Sequence, residues 1–220
     1  MKKFIFVNKV IVMFPKIINE YVKNLTYNID TIGRSEDEVY IFENKYILKI
    51  SQDNKRLLRE KERVDYLNLN NIPGSKSVCY IEENNKCYYL RTCINGDSLI
   101  NERFINNPDL LVSILVKVIK VLRSLDNKKC PFKSMDNIGN DFIHGDLCLP
   151  NIFVNKNNEF IGFIDLENAG LGDKWYDYSW LLWSLEYNLK SNKYNNILLK
   201  KLKLSFNKEK YNMYIPKDYR

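Results

Sequence analysis

The 220-residue sequence has one histidine, His144, and five cysteines that are scattered without a C-x-x-C pair. A zinc site made of cysteine and histidine ligands needs several such residues at short spacings, and this chain does not offer them. An odd number of scattered cysteines also argues against a disulfide framework in a chain of this length. We therefore expect free thiols and a cytoplasmic location.

Long apolar runs are also missing. No stretch reaches the roughly 18 apolar residues that a membrane-spanning helix requires. The first 14 residues begin like a secretory signal, but Asn8 and Lys9 divide the apolar run and no small-residue cleavage site follows. We expect an amphipathic strand or a disordered leader there, and no membrane partner.

Excess charge is confined to one end of the chain. Lysine and arginine number 34 against 27 acids, a net charge of +7, and residues 189–220 hold nine cations and two acids. The rest of the chain is therefore charge-balanced. In the tail the cations alternate with leucines, which predicts a surface helix with a solvated lysine face. Because nucleic-acid binding needs a continuous basic footprint, we expect no nucleic-acid partner.

The hydrophobic pattern changes near the middle of the sequence. Residues 1–93 contain a short helical pattern after Pro15, then alternating segments around a longer helical segment, 54–70, which predicts a small antiparallel sheet with one main helix. Residues 94–97 read as a hinge. Beyond them the pattern is mostly helical and includes a long apolar helix at 110–125. We predict an α+β fold with two lobes, an N-lobe over 1–93 and a C-lobe over 94–220.

The segment HGDLCLPN, which starts at His144, carries the strongest chemical signal. Asp146 is followed five residues later by Asn151, and Asp165 comes fourteen residues after that. This is the spacing of a kinase catalytic loop, in which the aspartate accepts the proton of the acceptor hydroxyl and the asparagine holds a magnesium ion. An acid after the next strand supplies the remaining metal contact, and Asp165 has that position. His144 is interpreted as structural.

A second group of residues suits nucleotide binding. Lys49 stands near the end of the alternating strand YILKI, as does the kinase lysine that reaches the ATP phosphates. Glu60 follows eleven residues later in the predicted helix, where it can pair with Lys49. The turn at residues 33–35 can offer backbone N–H groups to phosphate. Each of these residues alone would be interpreted as a solvated charge or a turn residue. Their order along the chain, and their positions in a strand, a helix and a turn, favour a phosphotransferase.

These segments resemble the aminoglycoside phosphotransferase family within the protein-kinase-like fold. HGDLCLPN is similar to the family's H-G-D-x-x-x-x-N loop, and GFIDLENAGLGDKWYDYSW to its G-F-I-D-x-G-x-x-G-x-x-D-x-x-x-D segment. GRSEDEVYIF resembles its phosphate-binding turn, and LLREKERVDYL the helix that bears the glutamate. The resemblance implies a two-lobed kinase fold, ATP with Mg2+, and phosphorylation of a small-molecule hydroxyl, most plausibly the 3'-hydroxyl of an aminoglycoside antibiotic.

The resemblance also implies roles in nucleotide binding. Ser35 would contact phosphate, Lys49 would bind the α- and β-phosphates, and Glu60 would orient Lys49. Backbone groups of Thr92 and Ile94 would bind adenine.

In the second half of the chain the resemblance implies a catalytic set. Asp146 would be the catalytic base, and Asn151 and Asp165 the magnesium ligands. Asp173 and Asp177 match later aspartates of the family and are expected to support the catalytic loop.

The sequence departs from the family pattern on the substrate side. Glu167 and Asn168 replace the usual glycine and arginine, and only residues 131–143 precede the catalytic loop where relatives have a helical insertion with acidic contacts to the drug. The chain also ends in a basic tail. Two alternatives therefore stay open, a kinase of another small alcohol (choline, a sugar or a different antibiotic) and an inactive nucleotide-binding remnant. We expect a monomer or a weak dimer.

Overall fold

A computed structural model describes residues 14–30, 37–134 and 138–219. The leader at 1–13 and the turn that contains Ser35 lie outside the described residues. The chain forms two compact units, one holding residues up to 65 together with 75–95, the other holding residues 66–74 and those from 96 onward. The lobe limits inferred from the sequence, 1–93 and 94–220, stay a prediction.

The first unit is an antiparallel sheet accompanied by helices, as its hydrophobic pattern predicts. The sheet order is β1-β2-β3-β5-β4. In chain order its elements are α1 (Lys16–Val22), β1 (Tyr27–Ile29), β2 (Glu38–Phe42), β3 (Tyr46–Ser51), α2 (Asn54–Leu69, whose last four residues count with the second unit), β4 (Ser77–Glu83) and β5 (Lys86–Thr92).

Local turn chemistry and apolar spacing explain this sheet. Asn84 and Asn85, with φ of 53° and 59°, join β4 to β5, because asparagine tolerates the left-handed conformation that a tight hairpin turn requires. Ile18 and Val22 recur at helical spacing on α1 and are buried against the sheet, in a cluster that includes Leu48 of β3. Tertiary packing thus holds a helix that is too short to be stable alone.

The second unit is mostly helical with short strands. Its elements in chain order are β6 (Asp97–Ser98), α3 (Glu102–Ile105), α4 (Pro108–Arg123), β7 (Asp141–Ile143), β8 (Ile152–Val154), β9 (Phe160–Phe163), β10 (Gly170–Gly172), α5 (Lys174–Leu189), α6 (Lys193–Lys201) and α7 (Lys208–Tyr214). The long apolar helix expected at 110–125 is α4, and seven of its side chains are buried. Strands β8 and β9 form an antiparallel hairpin that also pairs with β6, while β7 pairs with β10.

The basic tail contains a surface helix with a solvated lysine face, as its pattern predicts, and a second short helix follows it. Leu198 and Leu199 of α6 are buried, but Lys203 takes a φ of +57° and the chain turns before α7 begins. Phe206 is 51% exposed between the two helices. Among the residues that the structure describes, no helix has the length and apolar character needed to cross a membrane.

Candidate active site

The loop at residues 144–151 is anchored by a buried aspartate on α5. Asp177 is fully buried, and its two carboxylate oxygens accept hydrogen bonds from the backbone N–H of His144 at 2.9 Å and of Gly145 at 3.0 Å. The Arg123 guanidinium of α4 pairs with the same carboxylate at 3.2 Å. Burial raises the pKa of the Asp177 carboxyl, and the Arg123 charge and the two N–H donors act in the opposite direction.

Gly145 permits the close approach of this loop to the segment that follows Asp165. Its φ is +82°, and a Cβ atom at this position would lie 2.5 Å from the backbone oxygen of Asn168. A side chain would therefore meet both backbone strain and a collision with main-chain atoms. The glycine before Asp146 is a geometric requirement of the site.

Helix α5 holds the loop at a second point. The Leu149 N–H donates to Ser184 Oγ at 3.0 Å, and Cys148 Sγ lies 3.9 Å from the Trp180 carbonyl oxygen. Ser184 lies seven residues after Asp177, so both project from nearly the same face two turns apart. Sequence reasoning found Asp177 but missed Ser184 and Arg123. The helical spacing of Ser184 from Asp177 was the available signal for the serine.

Asp146 and Asn151 are brought together as the spacing predicts. Asn151 Nδ2 donates to Asp146 Oδ2 at 2.8 Å and to the Asp146 carbonyl at 3.0 Å. The Asp146 N–H donates to His144 Nδ1 at 3.2 Å, which fixes the backbone on the other side of the aspartate. Within the 144–151 loop only Asp146 and Pro150 are not buried. The Asp146 carboxylate is therefore the acidic group that this loop presents to solvent.

The β8–β9 hairpin places Asp165 beside the same loop. Ile152, directly after Asn151, pairs with Phe163, and the Ile164 N–H donates to the Asn151 carbonyl at 3.1 Å. Asp165 follows at once, is exposed, and has a φ of +56°, a conformation that non-glycine residues adopt mainly at constrained or functional positions. The hairpin thus brings Asn151 and Asp165 to one end.

The donor set at this end of the hairpin suits Mg2+. The Asn151 side chain donates both of its hydrogen bonds to Asp146 through Nδ2, so its carbonyl oxygen Oδ1 is available to bind a cation. Asp165 adds a carboxylate. The described residues contain no cluster of three or more histidine, cysteine, aspartate or glutamate side chains that could form an all-protein cage. Mg2+ is commonly held by one or two such oxygen ligands together with substrate phosphates, and this arrangement fits that mode.

In the first unit, Lys49 and Glu60 form the pair that the sequence predicts. Lys49 Nζ lies 2.8 Å from Glu60 Oε2 and 3.0 Å from Oε1, and the two side chains are 12% and 2% exposed. Strand β3 supplies the lysine and helix α2 the glutamate. Because the lysine has a long flexible chain, this pairing restricts its ammonium group to one place.

The residues predicted to bind adenine lie at the end of β5. The Thr92 carbonyl accepts a hydrogen bond from Ser75 Oγ at 2.8 Å, and a carbonyl oxygen has a second lone pair. In the described part of the chain, the Ile94 backbone makes no hydrogen bond to another backbone group. Both positions therefore retain backbone polar groups for a ligand. Ser35, expected at the phosphates, lies outside the described residues.

Asp173 connects the start of α5 to the basic tail. Its Oδ1 accepts the Trp175 N–H at 2.9 Å, and its Oδ2 accepts Lys210 Nζ at 2.5 Å and the Tyr214 hydroxyl at 3.0 Å. Burial alone would raise the pKa of the Asp173 carboxyl, but Lys210, the Trp175 N–H and Tyr214 outweigh it, so the pKa lies below its ordinary value. Of the two later aspartates, Asp177 binds the loop, and Asp173 caps α5 and binds α7.

Comparison with known proteins finds a family whose model matches part of this chain. Residues 140–198 match the model of a phosphotransferase enzyme family, APH. A probable aminoglycoside 3'-phosphotransferase of Lactococcus lactis is 26% identical over 227 aligned positions, which cover 83% of this chain and 85% of that protein. The matched family segment contains the 144–151 loop, Asp165, all of α5 and most of α6.

Solved structures of aminoglycoside phosphotransferases share the fold. The enzyme APH(3'')-Id of Streptomyces rimosus superposes with a TM-score of 0.76 at 16% identity, over 90% of this chain and 93% of that one. An aminoglycoside-3'-phosphotransferase of type VIII gives a TM-score of 0.70 at 18% identity, over 86% and 91%. The α+β, protein-kinase-like fold expected from the sequence is thereby confirmed.

Proposed function

We propose that this chain is an enzyme that phosphorylates the 3'-hydroxyl of an aminoglycoside with ATP, because it resembles aminoglycoside phosphotransferases both in the family segment 140–198 and over most of its length. The observation that carries this proposal is the hydrogen bond from Asn151 Nδ2 to Asp146 Oδ2. It fixes a solvent-accessible carboxylate next to an amide oxygen suited to a cation.

In the proposed reaction, Asp146 orients the acceptor hydroxyl and accepts its proton. The hydroxyl oxygen forms a bond to the γ-phosphorus while the bond from that phosphorus to the β,γ-bridging oxygen breaks, and ADP leaves with the bridging electrons. Catalysis of this kind comes mainly from positioning and charge stabilisation. The anchors that Asp177 and Ser184 give to the loop therefore matter as much as the basicity of Asp146.

Nucleotide binding is assigned to the first unit. Lys49, restricted by Glu60, would bind the α- and β-phosphates, Ser35 would contact phosphate, and the backbone of Thr92 and Ile94 would bind adenine. The solved complex of the Streptomyces rimosus enzyme with ADP and streptomycin, which has a TM-score of 0.74 with this chain at 16% identity, supports a nucleotide substrate.

Asn151 and Asp165 would hold Mg2+. When bound, the ion neutralises charge on the nucleotide phosphates. The chain's own contribution is the orientation of the two ligands: Asp146 binds the Asn151 amide nitrogen and so turns Oδ1 outward, and the left-handed backbone of Asp165 directly follows the hydrogen bond between Ile164 and Asn151.

The aminoglycoside acceptor is proposed from the names of the relatives, because the Lactococcus lactis protein is named as a probable 3'-phosphotransferase. A specific observation favours a second candidate, an alcohol that carries less positive charge. Residues 124–140, which precede β7, contain three lysines and two aspartates, and this net positive charge does not favour binding of a polycation. The intact set of catalytic and nucleotide residues argues against an inactive remnant.

A substrate panel tests the proposal. The purified chain is incubated with ATP, Mg2+ and either kanamycin B, its 3'-deoxy derivative, choline or a simple sugar, and phosphorylated product is measured by mass spectrometry. We expect one added phosphate on kanamycin B and none on the 3'-deoxy derivative. Product on choline or the sugar alone would establish the second candidate, and no product with bound ATP would favour a remnant.

A cytoplasmic location and a monomeric or weakly dimeric state are part of the same proposal. Both fit an enzyme whose two substrates are small soluble molecules.

A further inference from the structure

Arg91 on β5 is a buried arginine in direct proximity to the Lys49–Glu60 pair. Its side chain is 4% exposed and lies next to the 2% exposed Glu60, with Arg91 Nε 3.8 Å from Glu60 Oε1. Arg91 Nη1 donates to Ser75 Oγ at 2.6 Å, whereas Nε is buried and has no hydrogen-bond partner. A buried guanidinium with an unused donor is costly, so this arrangement calls for an explanation.

Glu60 Oε1 is the atom that Arg91 and Lys49 have in common. Lys49 Nζ lies 3.0 Å from Oε1 and 2.8 Å from Oε2, so two of its three N–H donors point at one carboxylate. If Lys49 also binds two phosphate groups, it needs two of its three donors for them and has one left for Glu60. The hydrogen bond that is lost is then the longer one, to Oε1. That oxygen would become an unpaired buried acceptor unless another donor replaced the lysine.

We propose that Arg91 is a positioning residue that takes over Glu60 Oε1 when Lys49 binds the phosphates of ATP. The inference rests on the proposed function. A shift of less than 1 Å would turn the present 3.8 Å separation into a hydrogen bond of about 2.9 Å. Arg91 thereby lowers the cost of transferring lysine donors from Glu60 to the nucleotide, and it does so without touching the nucleotide phosphates.

The other end of Arg91 is fixed to the predicted adenine contact. Ser75 Oγ accepts from Arg91 Nη1 and donates to the Thr92 carbonyl at 2.8 Å. Arg91 therefore connects Glu60 to the backbone of its own neighbour, Thr92. This connection keeps the guanidinium within reach of Glu60.

The test measures the dissociation constant of ATP by titration calorimetry in the wild type and in matched variants, with thermal melting as a check of folding. Arg91→Met removes the donor at similar size and is expected to weaken ATP binding about tenfold, as for loss of one hydrogen bond to a charged group. Arg91→Lys retains a cation and should recover most of that loss. The control is Arg63→Met, which removes another buried arginine whose guanidinium contacts Glu62 and the Arg59 carbonyl, and which should leave ATP affinity unchanged.

A double-mutant cycle separates positioning from general damage to the fold. In a Lys49→Ala background no lysine donors are transferred, so adding Arg91→Met should change ATP affinity by less than about twofold. The same tenfold loss in both backgrounds would overturn the proposal, as would an unchanged affinity in Arg91→Met. If Arg91→Met does not fold, the same cycle is made with Ser75→Ala, which removes the acceptor that anchors Arg91.

The cycle also distinguishes the two proposals. A wild-type chain that binds no ATP contradicts the proposed function and this inference together. A wild-type chain that binds ATP, loses affinity in Lys49→Ala and keeps it in Arg91→Met contradicts only the role of Arg91.

Discussion

The side-chain amide nitrogen of Asn151 donates hydrogen bonds to both the carboxylate and the backbone carbonyl of Asp146, at 2.8 Å and 3.0 Å. The two residues are five apart, and this double contact makes the loop between them a closed unit. Asn151 therefore orients the Asp146 carboxylate, and the same hydrogen bonds turn the Asn151 carbonyl oxygen Oδ1 away from that carboxylate. The base and the metal ligand of the proposed site are thus positioned by the same hydrogen bonds.

Removal of the Asn151 amide should affect both functions. We predict that Asn151→Ala raises the Mg2+ concentration needed for half-maximal turnover and lowers kcat by about tenfold or more, as is usual when a partner that orients a metal site is lost. Turnover measured against Mg2+ concentration gives both values. Asn157→Ala, an exposed asparagine in the β8–β9 turn, is the control and should match the wild type. An unchanged Mg2+ dependence in Asn151→Ala would contradict the metal assignment.

Two glycines allow a matched test of the backbone at the loop. Gly145→Ala introduces a Cβ 2.5 Å from the Asn168 oxygen at a φ of +82°, whereas the nearest atom to a Cβ at Gly74 is the Cα of Gly162 at 4.0 Å. We predict that Gly145→Ala lowers the free energy of unfolding by roughly 1–3 kcal/mol, the usual cost of such a strained position. Gly74→Ala should change it by less than about 0.5 kcal/mol. Urea unfolding measures both, and equal effects would show that the loop does not require Gly145.

Asp177 should be the most sensitive acid of α5. Asp177→Ala leaves the partly buried Arg123 guanidinium without its carboxylate and two loop N–H groups without acceptors, which we expect to cost about 3 kcal/mol of unfolding free energy. Glu186→Ala on the exposed side of the same helix is the control. If Asp177→Ala does not fold, Asp177→Asn, which keeps one acceptor oxygen, should be measurably less stable than the wild type. Wild-type stability in Asp177→Asn would contradict the anchoring role.

The pairing of Asp173 with Lys210 predicts a pH dependence. Because the pKa of Asp173 is held below its ordinary value of 3.8, its ionised form stabilises the fold above that value, and this contribution is lost as the pH falls through the lower pKa of the folded state. Lys210→Met removes the contact that does most to lower the pKa of Asp173. The rise in melting temperature from about pH 2 to about pH 6 should therefore be smaller in this variant than in the wild type. Lys208→Met, on the same helix and exposed, should keep the wild-type profile. Identical profiles for the two variants would contradict the pairing.

Residues whose roles depend on order along the chain could be predicted from the sequence. The spacing of Asp146, Asn151 and Asp165 is set by one loop and one hairpin, and that of Lys49 and Glu60 by adjacent elements, so local patterns locate them. Their assignment to catalysis and binding is a proposal, but the proximity of Asp146 to Asn151 and of Lys49 to Glu60 is an observation of the structure.

Residues that act through distant contacts could not be predicted in this way. Arg91 and Arg123 are charged residues on a strand and a helix, where sequence patterns place charge at the surface. Only tertiary packing buries Arg91 beside Glu60 and brings the partly buried Arg123 to Asp177. The turn in the basic tail is another feature of this kind. The tail pattern predicts the surface helix α6, but not the left-handed conformation of Lys203 or the contact of Lys210 on the next helix with Asp173.

The role of Asp146 in phosphoryl transfer from ATP to a hydroxyl group can be measured by single-turnover transfer from γ-labelled ATP to kanamycin B in the wild type and in Asp146→Asn. We predict transfer by the wild type. In Asp146→Asn we predict an unchanged ATP dissociation constant and a rate of transfer lower by about 10²- to 10⁴-fold, the usual contribution of a general base. Asp141→Asn, a nearby aspartate of β7 that faces Lys174 at 4.0 Å, should transfer at the wild-type rate. Transfer at the wild-type rate by Asp146→Asn would contradict the account.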